Sequence, residues 1–204
     1  MIVPVAIREL TIADCWEVSP TQWKDDRGVF LESFRADLLE AATGSSFTLR
    51  QSNISVSNRG VLRGIHFADV PPGQAKYVTV TSGAGLDFVV DIRVGSPTFG
   101  RWESVLLDTV ERKALYLTEG IGHAFLSLAD GTTLSYLVSE TYDPVAEHSI
   151  NPRDPQIALE FPAASGPIFL SPKDQEAPLL ADFVAAGTLP QWDAVRAFRA
   201  TVGL

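Results

Sequence analysis

The chain has 204 residues, 46% of them hydrophobic and 20% charged, which suits one compact domain with a real core. Sixteen basic residues against 25 acids leave a formal net charge of −9, which argues against non-specific binding to duplex nucleic acid. The single cysteine, Cys15, excludes an internal disulfide and a multi-cysteine zinc site, and no apolar run reaches the ~18–20 residues of a membrane span.

Met1 to Leu10 lack a basic start followed by a long apolar stretch, so no signal peptide is expected and a cytoplasmic location is. Residues 34–42 read as a short helix with Leu38 and Leu39 on one side. Short strands follow. Residues 47–56, 76–81, 86–94, 102–107, 123–128 and 133–142 are rich in β-branched, aromatic and alternating apolar side chains. Turn signals separate them at Asn58-Arg59-Gly60, Pro71-Pro72-Gly73, Ser82-Gly83-Ala84-Gly85, Gly95-Ser96-Pro97 and Asp130-Gly131. Strands so spaced, with no long helices between them, predict an all-β antiparallel sandwich or barrel. The tail differs: Pro178 and Gly187 frame one short helix, and residues 191–200 predict another.

The charge is unevenly spread. From Arg50 to Lys76 there are four basic residues (Arg50, Arg59, Arg63, Lys76) against one acid, Asp69, so a small anionic ligand could be held there while the whole chain stays acidic. Scattered, solvated strand-surface cations are the competing reading. Phosphate-loop and dinucleotide fingerprints are absent, as is a nucleophile elbow, and Gly83-Ala84-Gly85 sits in a turn context. His66 is followed by Phe67 and Ala68, so the H-x-H pair usual in a metal-binding cupin barrel is missing.

The most informative segment is Gly60-Val-Leu-Arg-Gly-Ile-His66-Phe, with Lys76 ten residues after the histidine. A lone histidine in an apolar strand is usually a core residue. Here Arg63 lies within one strand length, Lys76 follows across the Pro-Pro-Gly turn on the expected next strand, and His123 opens another strand. Such a set inside a barrel would make a polar cavity, which a purely structural core avoids. Strict alternation puts Leu62, Gly64 and His66 on one face and Arg63 on the other, so a bulge or bend near Gly64 is required for both to enter one cavity.

The segments Asp26-Arg-Gly-Val-Phe-Leu-Glu32, Gln51-Ser-Asn53, Gly60-Val-Leu-Arg-Gly-Ile-His66-Phe, Ala75-Lys76, Val90-Asp-Ile-Arg93, Ser96-Pro-Thr-Phe-Gly-Arg-Trp102, Glu119-Gly-Ile-Gly-His-Ala-Phe125, Tyr136 and Tyr142-Asp-Pro144 run in one order along the chain. Together they resemble the dTDP-4-dehydrorhamnose 3,5-epimerase family, and more its antibiotic-sugar branch than its rhamnose branch. The resemblance implies a jelly-roll (cupin-like) barrel and a homodimer. It implies a single epimerase domain over 1–204: N-terminal strands and a short helix over 1–46, a jelly-roll core over 47–145, and a strand and helix extension over 146–204. It also implies a dTDP-linked 4-keto-6-deoxy sugar as substrate and no cofactor or metal.

By the same resemblance His66 matches the base, Asp174 the carboxylate that orients it, Tyr136 the acid on the opposite face and Lys76 the stabiliser of an enolate oxygen. These types suit the task. A base near pH 7 suits histidine, a phenol donates without being ionised at rest, and a fixed cation meets the developing oxyanion. Arg27, Phe30, Glu32, Gln51, Ser52, Asn53, Arg63, His123, Glu147 and Lys173 match ligand contacts, the cations for a diphosphate. His148 has no assigned role. The branch includes enzymes acting at C3, at C5 or at both, and the sequence leaves that choice open. The rival readings are a ketoisomerase of the same scaffold, a non-catalytic nucleotide-sugar binding module and a metal-dependent cupin.

Overall fold

The computed structural model describes residues 5–202. Two antiparallel sheets face one another. One has six strands in the order β1 (Val5–Glu9), β2 (Cys15–Pro20), β10 (Ala114–Leu117), β7 (Lys76–Ser82), β12 (Thr132–Val138) and β5 (Gln51–Ser57). The other has five, in the order β13 (Glu147–Ser149), β6 (Leu62–Ala68), β11 (Ile121–Ser127), β8 (Ala84–Asp91) and β9 (Trp102–Asp108). A small hairpin of β3 (Trp23–Asp25) and β4 (Gly28–Phe30) stands apart from both. The chain steps from one sheet to the other and back, as a jelly roll does. The all-β expectation holds, and so do the expected turns at Gly60, Gly73, Gly83, Gly95 and Gly131, each with φ between 67° and 90°.

Three apolar clusters hold the layers. Val78, Val80, Leu115 and Leu134 from one sheet meet Val89, Val105, Leu107 and Phe125 from the other, forming the core of the sandwich. The outer face of the five-stranded sheet buries Leu62, Ile65, Phe67, Phe88 and Leu126 beneath the C-terminal segment, through Ile150, Ile157, Leu180 and Leu189. Both faces of β8 are therefore covered, and Phe88, Val89 and Val90 are wholly inaccessible. The outer face of the six-stranded sheet is capped by α1 (Ala36–Thr43), whose Leu39 packs with Trp16, Tyr77 and Tyr116.

Several bounds differ from the sequence reading. Residues 47–50 stay outside β5, and β12 ends at Val138, so Tyr142 lies on a loop. The four-residue strand Ala114–Leu117 lies outside the runs expected; it is short, but all four residues are buried between neighbours. Pro178 precedes rather than enters α3 (Leu180–Ala186), where Asp182 caps the free N–H of Leu179 at 2.8 Å and Gly187 ends the helix in the left-handed region. α4 (Trp192–Val202) closes the described chain. The main correction concerns β6 and β7. They flank the Pro71-Pro72-Gly73 turn but lie in opposite sheets, so they are not paired neighbours. Among the described residues, no helix is long and apolar enough to cross a membrane.

Candidate active site

A cavity of about 320 Å³ lies between the two sheets. Alternation along β5 turns Gln51, Asn53 and Ser55 into it and leaves Ile54 and Val56 facing out, 70% and 62% exposed. The same sheet adds Lys76 from β7, and Leu134 and Tyr136 from β12. The facing sheet supplies Arg63 and His66 from β6, His123 and Phe125 from β11, and Glu147 from β13. Gln74 and Tyr142 complete the lining from loops.

The β6 side depends on Gly64. Between the pairs His66↔His123 and Arg63↔Phe125 the register slips, with one extra residue on β6. The bulge required by alternation is present, and it brings Arg63 and His66 into one cavity. Gly64 has φ +116°, and a Cβ there would lie 2.5 Å from the His123 carbonyl oxygen.

His66 meets Asp174 across 108 residues of sequence. Phe169 runs beside β6, donating its N–H to the Gly60 carbonyl while its own carbonyl accepts from Leu62 N–H, both at 2.9 Å. The short helix α2 (Pro172–Gln175) follows at once, with Pro172 at its first position and Ser171 as its cap. The Ser171 hydroxyl oxygen accepts the Asp174 N–H at 3.1 Å, and its hydroxyl donates to Asp174 Oδ2 at 2.9 Å. That leaves Asp174 Oδ1 for His66 Nε2, at 2.7 Å. Burial opposes ionisation of Asp174, but the bonds from His66, Ser171 and the Gly64 N–H outweigh it and hold its carboxyl below the usual range. An ionised acceptor requires Nε2 to carry the proton, so the neutral ring keeps its lone pair on Nδ1.

A second histidine–carboxylate pair stands beside the first. His123 Nε2 lies 2.8 Å from Oδ2 of Asp87, a side chain with no accessible surface. Burial pushes the Lys76 ammonium below its ordinary pKa, against the opposing pull of Glu147 and Asp87. Burial also raises the Tyr136 phenol, with Glu147 adding to the effect and Arg63 opposing it. Tyr136 therefore keeps its proton well above neutral pH.

Of the residues singled out from sequence, Gln51, Asn53, Arg63, His66, Lys76, His123, Tyr136 and Glu147 line this cavity. Lys173 and Asp174 line an adjoining space of about 300 Å³ that shares Arg63 and His66. Ser52 alternates to the outer, exposed side of β5. Arg27 and Phe30 lie on the exposed β3–β4 hairpin, Arg27 bonded to Asp25, and Glu32 pairs with Arg35. None of these four lines the chain's own cavity. His148 bonds Asp69 at 2.8 Å and packs against Phe67 and Phe183. Sequence reasoning passed over Ser55, Gln74, Asp87 and Phe125. For Ser55 the signal was its place two residues beyond Asn53; for Asp87 it was an acid set between Leu86 and Phe88. Among the described residues, no three His, Cys, Asp or Glu side chains converge on a metal position.

Known proteins of similar sequence and fold exist. Residues 9–182 match the family model described as dTDP-4-dehydrorhamnose 3,5-epimerase. A dTDP-4-dehydrorhamnose 3-epimerase of Streptomyces niveus is 54% identical over 91% of this chain and 89% of its own. A dTDP-4-dehydrorhamnose 3,5-epimerase of Mycolicibacterium smegmatis is 51% identical over 96% of each. The solved Mycobacterium tuberculosis rmlC epimerase superposes with a TM-score of 0.94 at 47% identity, covering 97% of this chain and 99% of that one. A shared fold, near-complete coverage and about half the residues in common leave one assignment: this chain belongs to the dTDP-4-dehydrorhamnose 3,5-epimerase family.

Proposed function

We propose that the protein epimerises a dTDP-linked 4-keto-6-deoxyhexose at a carbon flanking its ketone, with no cofactor. One observation carries the reading. His66, backed by Asp174, and Tyr136 come from opposite sheets and face one cavity, so a ring held between them meets a base on one side and an acid on the other. His66 Nδ1 takes the carbon-bound proton, and the electron pair moves through the new C=C bond to the C4 oxygen. Lys76 stabilises that enolate oxygen. As the carbonyl re-forms, Tyr136 delivers a proton to the same carbon from the other face, which inverts it. Asp174 stabilises the imidazolium that forms in between, as the carboxylate does in a hydrolase triad. Arg63, Lys173 and His123 hold the diphosphate end, and Gln51, Asn53 and Glu147 contact hydroxyl or basic groups. On this reading the chain is a single unit, since a C-terminal carboxylate completes a dyad begun on β6.

The protein acts as a homodimer in the same proposal. Arg27, Phe30 and Glu32 match ligand contacts yet lie outside their own chain's cavity, so the β3–β4 hairpin of one copy serves the cavity of the other. Ser52, on the outer face of β5, likewise lies outside its own chain's cavity.

C3 and C5 both flank the ketone, and relatives about equally similar to this chain are named for C3 alone and for both. Proton NMR of dTDP-4-keto-6-deoxyglucose in deuterium oxide reads the answer directly. Wild-type protein is expected to exchange and invert at least one of the two carbons. His66→Ala is expected to abolish exchange at each while nucleotide binding persists. Wild-type exchange rates in that variant would remove His66 as the base.

A further inference from the structure

Asp87 is the carboxylate that the mechanism above does not use. It sits on β8 between Leu86 and Phe88, and none of its side chain reaches solvent. Oδ2 bonds His123 Nε2 at 2.8 Å, whereas Oδ1, equally buried, has no hydrogen-bond partner among the described residues. A buried carboxylate left half satisfied is destabilising unless nearby positive charge compensates it. A ring N–H and a cation lie at hand. His123 is bonded directly, and Lys76 feels the Asp87 charge from the cavity wall.

We propose that Asp87 is a positioning residue for epimerisation: through Oδ2 it fixes the His123 ring with Nδ1 left for the ligand, and through its buried charge it keeps Lys76 an ammonium. The inference rests on the reading of the cavity as the epimerase site. An ionised acceptor at Nε2 permits one neutral tautomer of His123, the one with its lone pair on Nδ1. His66 is held in the same way by Asp174, and the two histidines are direct cross-strand partners. Two histidine–carboxylate pairs thus stand side by side on one wall. The role of the second is electrostatic. An ammonium confined in an apolar sandwich tends to lose its proton, and two carboxylates oppose that loss, Glu147 from β13 and Asp87 from β8. The other charged or titratable groups around the cavity are His66 and Arg63 on β6, His123 on β11, Tyr136 on β12 and the Tyr142 phenol. Burial drives Lys76 towards neutrality, so removing Asp87 leaves Glu147 alone against it.

The test is Asp87→Asn, which keeps the shape and a polar contact to His123 and removes the charge. The readout is the pH profile of kcat, because a merely structural aspartate would not move it. Lys76 is depressed and Tyr136 raised, so the alkaline limb reports Lys76 first. The expected result is a limb displaced to lower pH by roughly 1–2 units. At neutral pH kcat should also fall, on the order of 10²-fold, as preorganised donors to the enolate oxygen are lost. A limb left in place in a folded variant overturns the proposal. Should the variant fail to fold, nitrogen NMR of the wild-type protein decides. His123 is expected as the Nε2–H tautomer, identified against a His123→Gln sample, and an Nδ1–H tautomer overturns the proposal. Wild-type turnover in the same assay tests the epimerase reading separately, so the two can fail independently.

Discussion

Tyr136 and Lys76 neighbour one another on the six-stranded sheet, yet opposite consequences of burial fall on them. Burial keeps the phenol protonated, which suits a group that must hold its proton until the enolate forms. Tyr136→Phe should therefore retain some deuterium exchange and lose inversion, because His66 still removes the proton while delivery from the far face is gone. Equal loss of both in the NMR assay would mean that the ring mainly shapes the pocket. For Lys76 burial weakens the charged form. Lys76→Met replaces a desolvated cation by an apolar chain of similar length, so melting temperature should hold or rise. Turnover should fall by roughly 10²–10³-fold, the scale of one lost oxyanion contact. A large fall in melting temperature with near-normal turnover would instead make Lys76 structural.

At the level of elements, β6 determines whether the site exists. Its core-facing residues Leu62, Ile65 and Phe67 pack outward under the C-terminal segment, while Arg63 and His66 turn into the sandwich. Regular alternation cannot produce that pattern, because 63 and 66 are three residues apart. The bulge at Gly64 supplies the missing residue, in a backbone conformation and a space that only glycine fits. Gly64→Ala should destabilise the fold by about 2–5 kcal/mol, from backbone strain together with collision against β11. It should also displace both His66 and the Gly64 N–H that Asp174 accepts, so exchange activity should fall further than the loss of folded protein explains. Thermal melting with activity per folded molecule checks this, and normal activity in the folded fraction would show that the bulge tolerates a side chain.

For the whole molecule, the placement of Arg27 and Phe30 is decisive. Both are exposed on a hairpin that joins neither main sheet. If that hairpin completes the cavity of a second copy, inactive variants should rescue one another. Homodimers of Arg27→Ala/Phe30→Ala and of His66→Ala should each be nearly inactive. The mixed dimer holds one barrel with His66 intact beside an intact hairpin, so unfolding and refolding a 1:1 mixture should recover about a quarter of wild-type activity. A mixture no more active than its parts would place the hairpin outside the site.

The sequence by itself determined much of this protein. Period-two runs of β-branched and aromatic residues, broken by Gly and Pro turns, specify strands and their ends because those preferences are local. The Gly64 bulge was legible because alternation is a rigid rule and two polar residues at the wrong spacing contradict it. Asp174 was reached only through the family resemblance, and the short Ser171-capped helix that presents it came from the structure. Other features belong to the tertiary structure alone. That β6 and β7 lie in opposite sheets is decided by which faces must be buried, and no short window contains that information. The same holds for the short strand Ala114–Leu117, which exists because neighbours on both sides accept its hydrogen bonds. Asp87 is the sharpest case. In sequence it is an acid between Leu86 and Phe88, and only the closing of two sheets over it turns an ordinary carboxylate into a buried one bonded to His123.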